Sequence, residues 1–150
     1  MVYETYSAEE TERIGIQIAE QAQPGSVYAL AGDLGAGKTA FTQGIAKGLG
    51  ITEAVCSPTF TLVQIYEEGT MPLYHFDVYR ITDIEEMYEI GFEDYFYGNG
   101  LTVIEWAELV EEVLPPVYQQ VKIEKDLEKG FDFRRITIEE INKMQNGESE

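Results

Sequence analysis

A chain of 150 residues has room for one compact domain and not for two of ordinary size. Its hydrophobic content of 44% is that of a globular protein, and no run approaches the roughly 20 apolar residues of a membrane-spanning helix. The net charge of −18, with Glu67 to Glu112 holding thirteen acids against Arg80 alone, opposes direct binding to a phosphate backbone.

That acidity has two readings, a solvated face or a docking surface for a basic partner, and charge alone does not choose. Met1-Val2-Tyr3-Glu4 lacks the basic and apolar regions of a secretory signal, and a single cysteine, Cys56, excludes an internal disulfide. Both lead to the expectation of a reducing cytoplasm. With no second Cys and no nearby His, Cys56 reads as an inert thiol.

In chain order, Ser7-Ala8-Glu9-Glu10 fits a capping box, and Ile14, Ile18 and Ala22 supply an apolar stripe, predicting a helix from about Ala8 to Ala22. Pro24-Gly25 is a turn, and Ser26 to Ala31 reads as a short buried strand. Phe41, Ile45, Ala46 and Leu49 then recur at helical spacing until Gly48 and Gly50 close the run. Strands are expected over Phe60 to Tyr66 and Leu73 to Val78, turning at Glu68-Gly69 into a hairpin. A short helix carries Glu85, Glu86 and Met87, from Asp83 at the earliest to Gly91. Asn99-Gly100 turns the chain into Leu101 to Ile104, a continuous apolar run of the kind found in buried parallel strands. A helix from Ala107 to Leu114 stops at Pro115-Pro116. Two final strands, near Val117 to Ile123 and Phe133 to Ile138, flank a turn at Lys129-Gly130. One domain over residues 1–141 is expected, with a polar, disordered tail over 142–150. The architecture is therefore α/β: a mostly parallel central sheet with helices on its faces and an antiparallel hairpin region at one side.

Between the second strand and the second helix lies Gly32-Asp33-Leu34-Gly35-Ala36-Gly37-Lys38-Thr39, which spells G-x-x-x-x-G-K-T. Glycines let such a loop turn tightly and aim its N–H groups at a phosphate, Lys38 reaches the β/γ oxygens, and the Thr39 hydroxyl is a ligand for Mg²⁺. The positive end of the following helix lies behind the phosphates. The flanking strand and helix arrive in the order this loop requires, so the chain is read as binding a nucleotide. A phosphate loop also calls for a carboxylate at the end of a buried strand, and Glu105, directly after Ile104, is the best-placed candidate. On one strand face His75, Asp77 and Tyr79 bring together a base, a carboxylate and a phenol. Asp77 can orient an attacking water, with His75 locking Asp77 in place; a hydrogen-bonded polar edge is the equal alternative. Ser57-Pro58-Thr59 sits where switch segments of nucleotide hydrolases sense the γ-phosphate, although alone it is only a turn.

Taken together, the phosphate loop, Ser57-Pro58-Thr59-Phe60-Thr61, His75-Phe76-Asp77-Val78-Tyr79-Arg80 and Val103-Ile104-Glu105-Trp106 resemble the TsaE (YjeE) family in order and spacing, over roughly Ser7 to Ile138. The resemblance implies a phosphate-loop NTPase-like three-layer sandwich and an ATPase needed for the threonylcarbamoyladenosine modification at position 37 of tRNAs reading codons that start with A. It implies ATP and Mg²⁺ as ligands, and as partners the TsaD–TsaB pair, whose transferase this ATPase resets. By this resemblance Lys38 and the loop amides, from Leu34 and Gly35 through Ala36 and Gly37 to Thr39, bind the phosphates. Thr39 and Glu105 serve Mg²⁺, Asp77 belongs to the γ-phosphate site and Thr59 to the switch-like loop. Trp106 matches a tryptophan beside the nucleotide, and Thr11 and Arg135 match positions that contact it near its base. A small-molecule kinase is the alternative from another activity class, although four arginines and no lid segment fit it poorly. A GTPase lacks its Asn-Lys-x-Asp motif here, and a non-hydrolysing adaptor stays open.

Overall fold

The computed structural model describes residues 1–32, 36–55 and 62–146. Expectations for Asp33, Leu34 and Gly35, for Cys56 to Thr61 with the Thr59 segment, and for the tail over 147–150 lie outside them. In chain order the elements are β1 (Val2–Thr5), α1 (Ala8–Gln21), β2 (Val27–Ala31), α2 (Lys38–Leu49), β3 (Val63–Tyr66), β4 (Leu73–Asp77), α3 (Glu85–Glu89), α4 (Phe92–Phe96), β5 (Leu101–Glu105), a 3₁₀ segment (Ala107–Val113), β6 (Val117–Lys125), β7 (Arg134–Asn142) and α5 (Lys143–Asn146). The strands make one sheet in the order β1-β7-β6-β2-β5-β4-β3. Its centre, β6-β2-β5-β4, is parallel. Antiparallel strands close both edges, β3 on β4 and β7 with β1 beyond β6, where one hairpin side had been expected. None of the described helices is long and apolar enough to cross a membrane.

Alternation along each strand sorts side chains into two layers. Leu30, Val103, Val121, Ile123 and Ile136 face α1 and α2, whereas Ala29, Phe76, Ile104 and Tyr118 face α3, α4 and the 3₁₀ segment. The result is the expected three-layer sandwich. Ser7 caps α1 by accepting from the Glu10 amide at 3.1 Å, and Glu10 reaches back to the Tyr6 amide at 2.8 Å. Gly50, at φ 86°, closes α2 with its amide on the Ala46 and Lys47 carbonyls.

Gly48 does not end that helix. It lies inside α2, where a Cβ would meet Ile16 O and Ala19 Cβ, both at 2.7 Å. Gly15 and Gly44 complete the same close crossing, since a Cβ on either would run into backbone of the other helix.

Four further departures have local causes. β1 is an edge strand too short to announce itself, registered on β7 from Val2↔Thr137 to Thr5↔Arg134. Phe92–Phe96 forms a separate helix after Gly91 turns the chain at φ 71°. The expected helix after Trp106 is 3₁₀ and interrupted at Val110 (φ −131°, ψ 31°), so no α-helical ladder runs through it. Regular structure also continues past residue 141. Asn142 ends β7, and Lys143 begins a helical turn with its ammonium donating to the Glu111 and Leu114 carbonyls at 3.0 and 2.7 Å.

Candidate active site

The parallel pairing of β4 and β5 sets Asp77 directly opposite Glu105, each the last residue of its strand. Both stand at the carboxyl edge of the sheet, where ligands of open α/β folds bind. Leu30, near the end of β2, pairs with Glu105 in the same row, and the chain leaves β2 through the G-x-x-x-x-G-K-T segment into α2. Gly37, at φ 106°, is the N-cap of α2 and accepts from the Phe41 amide at 3.0 Å. A side chain at that φ would be strained, so glycine here is what lets the helix begin beneath the loop. Lys38 and Thr39 are thereby the first two helical residues, with Thr39 exposed.

Lys38 Nζ lies 3.9 Å from Glu105 Oε1 and 5.4 Å from the centroid of the Trp106 ring. The other carboxylate oxygen, Oε2, is 2.8 Å from His75 Nε2. Glu105 and His75 are 7% and 2% exposed, so water competes little for either contact. Asp77 is half-buried and accepts from the Tyr79 amide at 3.0 Å, a local turn that fixes its carboxylate at the rim. Tyr79 in turn packs against Trp106, ring centroids 4.7 Å apart. Among the described residues Trp106 is the one non-glycine at positive φ, 64°. A bulky residue in that region costs of the order of 1–3 kcal/mol and such strain gathers at functional sites. Beside the ring opens a cleft of about 500 Å³ whose walls include Gly32, Ala36, Trp106, Lys122 and Lys125.

Lys38, Glu105 and Trp106 thus meet, with Asp77 in register beside Glu105 and Thr39 next to Lys38 in α2. His75 is on the expected face but bonds to Glu105, not to Asp77, because its partner strand offers the longer carboxylate diagonally across the pair. Two further residues expected to contact a nucleotide near its base have partners within the protein. Thr11 is wholly buried, its hydroxyl 2.7 Å from that of Thr5, so it ties α1 to β1. Arg135 pairs with Glu4 at 3.5 Å and lies over the Phe133 ring, while its neighbour Arg134 donates from Nε to Ala36 O at 2.8 Å. Successive strand residues point to opposite faces, and among the described residues it is Arg134 that bonds to the end of the loop at Ala36. The Arg134-Arg135 pair flagged in the sequence is therefore divided, Arg134 bonded to the end of the loop and Arg135, expected to contact the nucleotide near its base, paired with Glu4. The strained backbone of Trp106 left no sequence signal.

A sheet with a parallel centre, helices on both faces and a loop of this sequence between its first parallel strand and the next helix defines an α/β protein of the phosphate-loop NTPase-like class. Comparison with known proteins narrows the class. The family model described as "Threonylcarbamoyl adenosine biosynthesis protein TsaE" matches residues 5–136, and the chain belongs to that family. It is similar to the tRNA threonylcarbamoyladenosine biosynthesis protein TsaE of Bacillus subtilis (strain 168), 48% identical over 136 residues, 91% of this chain and 83% of the relative. The protein of the same name from Treponema pallidum (strain Nichols) is 48% identical over 109 residues, 73% of this chain and 80% of the relative. The crystal structure of Bacillus subtilis YdiB superposes with a TM-score of 0.78 at 44% identity, covering 92% of this chain and 83% of that one.

Proposed function

We propose that this chain binds ATP with Mg²⁺ at the rim formed by Lys38, Asp77 and Glu105 and hydrolyses it as an accessory protein of threonylcarbamoylation at adenosine 37 of tRNA. It acts in the cytoplasm on the TsaD–TsaB transferase and not on tRNA directly. The observation that carries the nucleotide part is the register of Asp77 with Glu105 beside the ammonium of Lys38 at the start of α2. Family membership supports the pathway, and the acidic surface suits a protein that reaches tRNA only through protein partners.

The donors fit Mg²⁺. Glu105 and Thr39 offer hard oxygens, and the described residues contain no cluster of three His, Cys, Asp or Glu that would cage an ion outright. That is the ordinary situation for Mg²⁺ held by one or two protein oxygens together with phosphates and water. When bound, the ion neutralises phosphate charge. Lys38, held between Glu105 and Trp106 at the mouth of the loop, supplies its ammonium to the β/γ oxygens. Asp77, fixed by the Tyr79 amide, orients the attacking water. Arg134 is occupied with carbonyls of Ala36, Phe131 and Phe133, so it is not free to act as an arginine finger. Slow turnover alone and activation by partners are part of this proposal.

The test is ATP hydrolysis by the protein alone and with purified TsaB and TsaD, with Lys38→Ala as the blank. Strong stimulation by the pair and a loss of about a hundredfold or more in the variant are expected. Equal turnover with and without the partners would overturn the accessory role and direct attention to kinase acceptors.

A further inference from the structure

We propose that His75 is a positioning residue for Glu105: its Nε2–H holds Oε2 of the carboxylate so that Oε1 stays turned toward Lys38, a role that rests on the ATP–Mg²⁺ reading above. The two residues lie on adjacent parallel strands, His75 in register with Val103 and Glu105 in register with Asp77, so their side chains meet diagonally on the face that carries α2. An ionised carboxylate only accepts hydrogen bonds, so the 2.8 Å contact places the proton on Nε2 and sets the tautomer of the ring.

Two features favour a positioning role over simple packing. Nδ1 is buried and has no hydrogen-bond partner among the described residues, so Glu105 is the ring's one polar anchor there. A buried polar atom left unmatched costs about 1–3 kcal/mol, and an apolar side chain would fill the same space without it. Glu105 is also one methylene longer than the Asp more usual at this strand position. A free Glu side chain has of the order of 1.5–2 kcal/mol of rotamer entropy to lose on ordering. Clamping Oε2 in the folded protein removes most of that freedom before any ligand arrives, and lets a long carboxylate act as a fixed one.

The chain has a single histidine, so a ¹⁵N-labelled sample gives one imidazole signal set. The long-range ¹H–¹⁵N spectrum is expected to show the ring protonated at Nε2, with its shifts displaced in Glu105→Gln. In parallel, calorimetry measures ADP affinity in EDTA and across a Mg²⁺ titration for the wild type, His75→Gln and His75→Asn. The Gln amide nitrogen can stand in for Nε2; the shorter Asn cannot reach Glu105. His75→Asn should raise the Mg²⁺ midpoint about tenfold or more while ADP affinity in EDTA stays within about twofold, and His75→Gln should recover most of the loss. Equal Mg²⁺ midpoints in all three proteins would overturn the proposal. So would a parallel fall in EDTA and Mg²⁺ affinities, which marks a general packing defect, or a ring protonated at Nδ1 alone. A wild type that binds no nucleotide would sink the ATP–Mg²⁺ reading instead, and the imidazole spectrum would still decide whether the clamp exists.

Discussion

On one face of the sheet α1 and α2 meet through Gly15, Gly44 and Gly48, positions where a Cβ would strike the facing helix. On the other, rings do the packing: Phe76 against Tyr95 and Phe96, and Phe92 against Phe96, edge to face with centroids 5.3–5.5 Å apart. The difference follows from what each layer carries. The helix α2 begins in the phosphate loop, so its height above the strands fixes where Lys38 and Thr39 stand relative to Glu105, and backbone-to-backbone contact leaves that height little latitude. The aromatic layer contributes mass and burial behind β4 and β5. One face is built for position, the other for stability.

The comparison breaks if damage to the aromatic face proves as harmful to the site as damage to the glycine face. Phe96 is completely buried among Phe76 and Phe92. Phe96→Ala should lower the unfolding free energy by about 3–5 kcal/mol in urea titration, with nucleotide affinity of the folded fraction unchanged. Gly44→Ala should have the opposite profile. At an exposed mid-helix site this exchange gains about 1 kcal/mol. Here the new methyl meets Glu12 backbone and the sign reverses, to a loss of about 1–3 kcal/mol. Because α2 must shift to make room, ADP affinity should fall as well. A stabilised Gly44→Ala, or one that binds normally, would refute the positional role of the crossing.

Much of this was legible in the sequence, and the misses have physical reasons. The G-x-x-x-x-G-K-T loop, the apolar run into Glu105 and the alternation through His75 and Asp77 each depend on local rules, so their elements stand where expected. Gly48 was misread as a stop because local rules see only that glycine weakens a helix, while its purpose is set by Ile16 and Ala19 on another element. His75 was paired with Asp77 because they share a strand; the bond to Glu105 needs the register of β4 on β5, which no single segment contains. That Arg134 rather than Arg135 bonds to Ala36 is hidden for the same reason, since the face of β7 that meets Ala36 is decided by its pairing with β6 and β1.

Thr11 sharpens the comparison at smaller scale. Its hydroxyl pairs with Thr5 in the glycine-face layer, fully out of solvent. Thr11→Val keeps the shape but strands the Thr5 hydroxyl, and should lower stability by about 1 kcal/mol or somewhat more in urea titration. ADP affinity unchanged in the same variant would mark the residue as structural; a loss confined to binding would restore it to the base-contacting set.

The smallest effect concerns one glutamate on each side of the sheet. Glu68 accepts from the Thr52 hydroxyl and from the Thr52 and Glu53 amides, tying the β3–β4 turn to the segment after α2. Glu86 accepts from the Thr82 amide and hydroxyl at the start of α3, only four residues away. Hydrogen bonds, from the Thr52 hydroxyl above all for Glu68 and from the Thr82 amide above all for Glu86, hold both carboxyls below their ordinary 4.5. A carboxyl whose folded value is depressed stabilises the fold above its unfolded value, and that contribution fades as pH falls through the lowered folded value. Melting temperature followed from neutral pH downward should therefore drop less steeply below about 4.5 in Glu68→Gln and in Glu86→Gln than in the wild type. Identical acid limbs in all three proteins would show that neither clamp outlasts competition from water.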